Sequence, residues 1–174
     1  IKGKKITPGL YIVSTPIGNM EDITLRALDT LKKSDSILCE DTRRSIKLLN
    51  FFKIKNKLVS YHKFNEEKMS IKIINFIKKN KIVSLISDAG TPTISDPGKI
   101  LVNKCVEENL FVFSIPGPSA VTSAISVSGF GDKYLFYGFL TKNQNELNKT
   151  LKSLSDLDYS IVFFIPAPKV KFYI

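Results

Sequence analysis

The chain has 174 residues, of which 43% are hydrophobic and 24% charged. This composition supports a folded core and excludes an intrinsically disordered protein. A formal net charge of +10 indicates a polyanionic partner such as nucleic acid, although a lysine-rich surface without such a partner gives the same surplus. No apolar run approaches the roughly 18 residues of a membrane span, and the basic N-terminal segment lacks the apolar core of a signal peptide.

Short apolar runs alternate with amphipathic runs from residue 9 to about residue 130. Continuous apolar runs predict buried strands, and apolar residues at spacings of three and four predict helices. The predicted strands are LYIVS (10–14), SILCE (36–40), LVSY (58–61), IVSLIS (82–87) and FVFSI (111–115), and the predicted helices are MEDITLRALDTLKKS (20–34), TRRSIKLLNFF (42–52), NEEKMSIKIINFIKKN (65–80), PGKILVNKCVEENL (97–110) and PSAVTSAISVSG (118–129).

Local signals mark several helix ends in this pattern. Asn65 is typical of a helix cap, and Pro97 is typical of a first helical turn. Asp96 directly precedes Pro97 and Gly98, so we expect it to be the N-cap of that helix. Gly129 predicts the end of the fifth helix.

Apolar strands separated by helices predict a parallel sheet that is covered on both faces. We therefore expect residues 9–132 to form a doubly wound α/β domain with a parallel sheet. From residue 133 the sequence pattern changes: the apolar run KYLFYGFL is followed by a predicted polar helix (143–157) and the predicted strand YSIVFFI (159–165). Residues 133–174 are predicted to be the beginning of a second α/β domain, incomplete at the end of the chain.

The two cysteines, Cys39 and Cys105, lie in apolar runs without CxxC or metal-type spacing. This pattern predicts two buried, reduced thiols and no metal site. Reduced thiols are typical of a reducing compartment, so we expect the protein to be cytoplasmic.

Four loops that follow predicted strands have the composition of ligand-binding loops: TPIGN, EDTRR, DAGTPTISDPG and PGPSA. Ligands of open parallel sheets bind beyond the carboxyl ends of the strands, so the four loops predict one shared crevice. PGPSA precedes a helix and offers backbone N–H groups to an anion. The chain has neither GxxxxGK[ST] nor GxGxxG after the first strand, which disfavours P-loop NTPases and Rossmann dinucleotide enzymes.

The order of these motifs resembles one known family. Their full series is LYIVSTPIGNMEDITLRAL, CEDTRRSIKLLN, SYHKFNEE, SLISDAGTPTISDPG and SIPGPSAVTSAISVSG. The series resembles the tetrapyrrole-methylase-like (class III) methyltransferases, and within them the bacterial enzymes that methylate a ribose 2′-oxygen of small-subunit ribosomal RNA. The resemblance runs from residue 9 to about residue 140.

This resemblance implies S-adenosylmethionine as the methyl donor, a cytidine ribose 2′-oxygen of small-subunit (16S) rRNA as the acceptor, and a homodimer. It also implies a cofactor held between two α/β domains. On physical grounds we expect Asp88 to be the partner of a cationic group of this cofactor, either the sulfonium or the amino group. The implied cofactor-binding residues are Pro16, Ile17, Gly18, Asp88, Ala89, Gly90, Thr91, Pro116, Gly117, Pro118, Ser119, Ala120, Phe139 and Leu140.

Methylation of a ribose hydroxyl is helped by a general base within hydrogen-bond reach. Glu40 and Asp41, after the second strand, are our candidates by position, whereas His62, the only histidine, is equally typical of a packed imidazole. Arginine side chains suit RNA phosphates, although a local salt bridge at a helix start is the alternative. The candidate RNA-binding residues are Arg43, Arg44 and Lys47, extended by Lys53, Lys55 and Lys57, and the candidates for stacking a base or for the core are Tyr61, Phe64 and Phe130.

The sequence departs from the family pattern at residues 165–170. Pro166 is present, but the Glu and His of the family's turn are not there in register. Three alternatives stay open: a same-fold methyltransferase with a tetrapyrrole or diphthine acceptor, an RNA-binding domain without catalysis, and a phosphosugar or nucleotide enzyme that uses PGPSA as an anion site.

Overall fold

The computed structural model describes residues 6–173 and contains the predicted five-stranded parallel sheet. The strand order is β3-β2-β4-β1-β5, and every neighbouring pair is parallel. All five predicted strands are confirmed, with ends that differ by no more than two residues. The strands are β1 (Gly9–Val13), β2 (Ser36–Cys39), β3 (Leu58–Ser60), β4 (Ile82–Leu85) and β5 (Val112–Ile115).

A helix follows each strand of this sheet. The helices are α1 (Leu25–Lys33), α2 (Thr42–Phe51), α3 (Glu66–Ile77), α4 (Lys99–Glu107) and α5 (Ala120–Ser128).

Two apolar clusters cover the two faces of the sheet, as the doubly wound prediction requires. On one face, α3 and α4 contribute Ile74 and Leu101, which pack with Leu10 and Leu38. On the other face, α1 and α2 contribute Leu31 and Leu49, which pack with Tyr11, Val13 and Ile37. Neighbouring residues of β1 point to opposite clusters, because successive side chains of a strand alternate between the faces. The strands are therefore buried on both sides, which explains their uninterrupted apolar sequences.

Two predicted helix starts differ from the structure, and Asn65 is confirmed at the N-cap position of α3 without a capping side-chain bond. The first predicted helix is split, because Met20–Asp22 forms a 3₁₀ helix and the Thr24 hydroxyl accepts from the Ala27 N–H at 3.1 Å, which caps α1. Asn65 occupies the N-cap position of α3, but its side chain accepts from the His62 N–H instead. Pro97 lies before α4 rather than in its first turn, because Gly98 is the N-cap with a φ of 134°. Gly129, with a φ of 69°, follows α5 as predicted.

The chain divides into two compact units, and the division falls between Ala120 and Val121. The second unit contains a two-stranded parallel sheet of β6 (Tyr134–Phe139) and β7 (Ser160–Phe164), with α6 (Gln144–Ser155) as the crossover helix. After β7, a 3₁₀ helix (Ala167–Lys169) leads into α7 (Val170–Tyr173). The predicted domain boundary between residues 132 and 133 stays a prediction.

The predicted state of the two cysteines agrees with the structure. Cys39 and Cys105 are free thiols with fully buried side chains, one in each apolar cluster. Burial raises the pKa of both thiols, that of Cys105 to about 11. Within residues 6–173, no helix is long and apolar enough to cross a membrane.

Candidate functional site

The sheet has a topological switch point between β2 and β4. From β2 the chain crosses on one face through α2 to the edge strand β3, and from β4 it crosses on the other face through α4 to β5. Two neighbouring strands whose connections diverge leave a crevice at their carboxyl ends, where ligands of such sheets bind. Glu40 follows β2 and Asp88 follows β4, so acidic side chains lie on both sides of this crevice.

The loops after β1 and β4 are joined by backbone hydrogen bonds. The Thr15 N–H donates to the Gly90 carbonyl at 2.9 Å, and the Gly90 N–H donates to the Thr15 carbonyl at 3.0 Å. The Thr15 hydroxyl donates to the Ser87 carbonyl at 3.1 Å and is itself almost fully buried. Gly90 has a φ of 79°, which favours glycine at this bridge. The predicted TPIGN and DAGTP loops thus form one rigid unit.

The PGPSA loop after β5 is joined to the same unit. The Thr91 hydroxyl donates to the Pro118 carbonyl at 3.0 Å, so its oxygen accepts the Ser14 hydroxyl, which lies 2.9 Å away. Gly117 packs closely against β1, since a Cβ at residue 117 would lie 2.9 Å from the Ser14 Cβ. Three loops that are far apart in sequence therefore meet at one place, as predicted for a shared crevice.

Sequence reasoning missed the residues that join these loops, Ser14, Thr15 and Ser87. All three are small hydroxyl residues, and each is at most 5% exposed. The signal available in the sequence was a hydroxyl residue at the end of an otherwise apolar strand, where a buried hydroxyl requires a hydrogen-bond partner.

Asp88 has one occupied and one unoccupied carboxylate oxygen. Its Oδ2 lies 3.2 Å from the Arg44 Nη1. Its Oδ1 is buried and has no hydrogen-bond partner in the described part of the chain. A buried carboxylate oxygen without a partner is costly, so this atom suits a hydrogen-bond donor or a cationic group of a ligand.

The space beside these loops fits part of a nucleoside-type cofactor. Thr15, Pro16, Ser87 and Asp88 line a cavity of about 190 Å³ together with Arg44. Sites for drug-sized ligands typically measure roughly 300–1,000 Å³, so this cavity encloses only part of such a molecule. A Cβ at Gly18 would meet open space, whereas one at Gly90 would lie 3.2 Å from the Ile17 side chain. The unpartnered carboxylate oxygen of Asp88 and the close backbone approach at Gly90 fit the implied cofactor.

The structure brings the predicted cofactor-binding residues of the first unit together, and the other two belong to the second unit. Those after β1, β4 and β5 surround the joined loops, and α5 begins at Ala120 directly after PGPS. Phe139 and Leu140 lie in the second unit, at the end of β6. The Phe139 ring packs against Phe164 with centroids 5.5 Å apart, and the Leu140 carbonyl accepts from the Tyr173 hydroxyl at 3.3 Å. Their predicted cofactor contact stays a prediction.

Glu40 and Asp41 differ in the contacts that their carboxylates make. Asp41 is the N-cap of α2, where its Oδ1 accepts from the Arg43 N–H at 2.8 Å. The Arg43 guanidinium binds both oxygens of Asp41, at 3.0 and 2.8 Å, and these bonds lower the pKa of Asp41 to about 2. Glu40 is exposed and lines two cavities at the crevice, of about 490 and 330 Å³. Asp41 is thus engaged as a helix cap, whereas Glu40 lines the crevice.

The candidate RNA-binding residues lie on the first half of α2. Arg43 and Arg44 are 88% and 70% exposed, but each is also paired with an acidic residue of the chain, Arg43 with Asp41 and Arg44 with Asp88. The exposed Lys47 follows one turn later. The three further lysines lie past the other end of α2, about 15 Å away by the helix rise, and all three are exposed: Lys53, Lys55 and Lys57.

Asp96 is not the helix cap that the sequence predicted, because Gly98 occupies that position. It lies half-buried in the 330 Å³ cavity with Glu40. Burial raises the pKa of Asp96, as do the charges of Glu40 and Asp88, while a hydrogen bond with Ser87 opposes the shift. The loop that carries Asp96 is strained, since Thr93 and Ser95 have φ angles of 72° and 67°. Asp96 therefore belongs to the crevice rather than to α4.

A five-stranded parallel sheet whose glycine- and proline-rich loops are joined at the carboxyl ends of its strands defines a ligand-binding domain of the doubly wound α/β class. The chain belongs to the tetrapyrrole (corrin/porphyrin) methylase family, because the family model matches residues 9–164. This match confirms the family that the sequence motifs resemble.

Curated relatives are 42–53% identical to this chain over the aligned residues. It is 53% identical over 163 residues to "Ribosomal RNA small subunit methyltransferase I" of Mesomycoplasma conjunctivae, covering 93% of this chain and 66% of the relative. The relatives of the same name from Thermotoga maritima and Bacillus subtilis are 51% and 42% identical, covering 89% and 97% of this chain. The chain spans 70% and 58% of those two relatives.

Solved structures share the fold at low sequence identity. A crystal structure of diphthine synthase has a TM-score of 0.69 and 18% identity, covering 91% of this chain and 64% of the other. A uroporphyrin-III-C-methyltransferase from Thermus thermophilus has a TM-score of 0.56 and 17% identity, covering 75% of this chain and 60% of the other. At these identities the likeness concerns the fold alone.

Proposed function

We propose that the protein transfers a methyl group from S-adenosylmethionine to the ribose 2′-oxygen of a cytidine in small-subunit ribosomal RNA. The observation that carries this proposal is the identity of about half of the residues to relatives named ribosomal RNA small subunit methyltransferase I. The motif resemblance supplies the finer part, the cytidine 2′-oxygen. A ribosomal RNA substrate would place the protein in the cytoplasm.

The joined loops after β1, β4 and β5 would hold the cofactor. S-adenosylmethionine supplies an electrophilic methyl group on a sulfonium, and its transfer is an in-line displacement in which positioning does most of the work. The buried Oδ1 of Asp88 would accept from the amino group or balance the positive charge. Gly90 and Gly117 let the backbone approach closely, and N–H groups of PGPSA, where α5 begins, suit a carboxylate. Phe139 and Leu140 would approach from the second unit.

The crevice beside Glu40 would hold the acceptor nucleotide. Glu40 would take the proton of the ribose hydroxyl, because its carboxylate faces the cavities without the capping bonds that hold Asp41. Phosphates of the RNA backbone would bind to Arg43, Arg44 and Lys47, because positive charges and guanidinium N–H donors are what phosphate groups bind. Arg43 would exchange its pairing with Asp41 for a phosphate.

Calorimetric titration with S-adenosylmethionine tests the cofactor site, with Asp88→Ala as the variant and Arg44→Ala as its control. Both variants break the ion pair between the two side chains, but only Asp88→Ala removes the buried oxygen. A charged hydrogen bond contributes enough that Asp88→Ala should weaken binding by about tenfold or more. Arg44→Ala should cause a smaller loss, because it removes part of the cavity lining but keeps the buried oxygen of Asp88. Equal losses in the two variants would contradict a direct contact between Asp88 and the cofactor.

Transfer of a labelled methyl group to purified small ribosomal subunits tests the acceptor. The same assay with a tetrapyrrole and with a diphthine precursor tests the two alternative acceptors, which require the same cofactor site. Cofactor binding without transfer to any of the three would contradict the proposed reaction. Binding of RNA without binding of cofactor would favour an RNA-binding domain. A homodimer, also proposed from the resemblance, is tested by sedimentation equilibrium.

A further inference from the structure

Phe64 is an apolar side chain that the packing of the first unit does not use. It is 93% exposed, and no large hydrophobic side chain in residues 6–173 is more exposed. Tyr61, three residues earlier, shows the contrast: it is fully buried and its hydroxyl lies 3.0 Å from the Ser70 hydroxyl. Of these two stacking candidates, Tyr61 belongs to the core, and the exposure of Phe64 is unexplained by folding.

The turn that carries Phe64 is held in one conformation. The Asn65 side chain accepts from the His62 N–H at 2.9 Å and donates to the Ser60 carbonyl at 3.2 Å. The His62 carbonyl accepts from the N–H groups of Asn65 and Glu66, at 2.9 and 3.0 Å. The His62 ring meets the Phe64 ring edge-on, with centroids 6.1 Å apart. A ring presented by a fixed turn loses little conformational entropy when it binds a partner.

Phe64 also lines the crevice that would hold the acceptor. A cavity of about 490 Å³ joins Phe64 and His62 to Arg43, Arg44, Glu40 and Asp88. This volume suits a nucleotide-sized ligand. An aromatic face beside guanidinium groups is the combination that binds single-stranded nucleic acid. Here the two guanidinium groups are paired with Asp41 and Asp88, so phosphates of the RNA would replace these carboxylates as their partners.

We propose that Phe64 stacks on an unpaired nucleobase of single-stranded RNA whose phosphates lie at Arg43 and Arg44. The proposal rests on the proposed function for the identity of the RNA, but stacking itself concerns any unpaired base. A double-helical substrate would be excluded from this position, because its bases are already stacked on one another. Phe64 would thus select for an open, unpaired target.

A tryptophan at position 64 reports stacking directly, because the chain contains no tryptophan of its own. We expect a short single-stranded oligocytidylate to quench the fluorescence of Phe64→Trp. Polyphosphate, which offers only the charges, should not quench it. Phe111→Trp is the matched control, since Phe111 is 62% exposed and precedes β5, at the opposite edge of the sheet. Quenching equal in both variants, or produced equally by polyphosphate, would overturn the proposal.

Affinity measurements then separate stacking from simple apolar contact. Phe64→Ala and Phe64→Leu should weaken binding of the oligocytidylate about 5- to 100-fold, the range for loss of one stacked base, while calorimetric binding of S-adenosylmethionine stays unchanged. Unchanged RNA affinity in Phe64→Leu would overturn the proposal, because leucine keeps an apolar side chain but has no ring on which a base can stack. If the wild-type chain methylates small subunits and Phe64→Ala does so with the same KM, only this inference fails. If quenching occurs but no methyl transfer does, only the proposed function fails.

Discussion

Replacing Gly117 with alanine tests the close contact between the PGPSA loop and the end of β1. A Cβ at residue 117 would lie 2.9 Å from the Ser14 Cβ. Carbon atoms pack at about 3.5 Å or more, so the two backbones must separate by roughly 0.6 Å. Ser14 is 2% exposed and follows a strand that is hydrogen-bonded on both sides, so it cannot move freely.

The expected cost follows from this geometry. Overpacking of a tight contact typically costs about 1–3 kcal/mol of unfolding free energy. The same displacement lengthens the chain of hydroxyl hydrogen bonds from Ser14 through Thr91 to the Pro118 carbonyl, now 2.9 and 3.0 Å. We therefore expect Gly117→Ala to unfold at lower urea concentration and to bind S-adenosylmethionine more weakly than the wild type.

Gly131→Ala is the control for this prediction. A Cβ at Gly131 meets no heavy atom within 4 Å, and neither glycine has a positive φ. Both variants thus add the same methyl group without backbone strain, and Gly131→Ala should change stability by less than about 0.5 kcal/mol. The reasoning is refuted if the two variants unfold at the same urea concentration and bind the cofactor equally well.

Three further predictions concern charge and burial. Arg43→Glu should weaken RNA binding and reduce the salt dependence of the affinity by about one phosphate contact. Lys79→Glu, the same charge change past the C-terminal end of α3, should leave the salt dependence unchanged. Equal slopes of affinity against salt concentration in the two variants would contradict an RNA contact at Arg43. The pKa of Asp41 is lowered to about 2, so its contribution to folding stability is complete above the pKa of the unfolded chain and is lost as the pH falls through the pKa of the folded chain. In urea unfolding, the stability difference between wild type and Asp41→Ala should shrink from about pH 4 to pH 2. A constant difference over this range would refute the capping role. Cys39 and Cys105 should react with a thiol reagent at pH 8 only as fast as the chain unfolds, because burial raises both pKa values, and rapid labelling of the folded chain would contradict this.

Pairing between charged side chains is a property of the site that position in the sequence did not predict. Arg44 was predicted to bind RNA and Asp88 to bind the cofactor, yet the two lie 3.2 Å apart as an ion pair. Asp41 was a candidate base, but its capping bonds and its low pKa assign it a structural role at the start of α2. Asp96 was expected to cap α4 and instead lies in the crevice. In each case a charged side chain bonds to a residue of another loop or to a nearby backbone N–H.

The sequence by itself determined the elements of the first unit and the loops that carry its ligand chemistry. Runs such as LYIVS and IVSLIS predict strands because hydrophobic burial on both faces leaves no polar positions. TPIGN, DAGTP and PGPSA mark the loops because glycine and proline restrict the backbone locally. Strands and loops of this kind depend on residues that are neighbours in the chain, so the sequence alone predicts them.

Only the tertiary structure decided how these loops meet. The strand order places β4 between β2 and β1, and this order creates the switch point at which Asp88 faces Arg44. The bonds from Thr15 to Gly90 and from Thr91 to Pro118 connect residues that are far apart in sequence. Hydrogen bonds and ion pairs of this kind act over about 3 Å and depend on distances that the folded chain sets, so no local pattern encodes them.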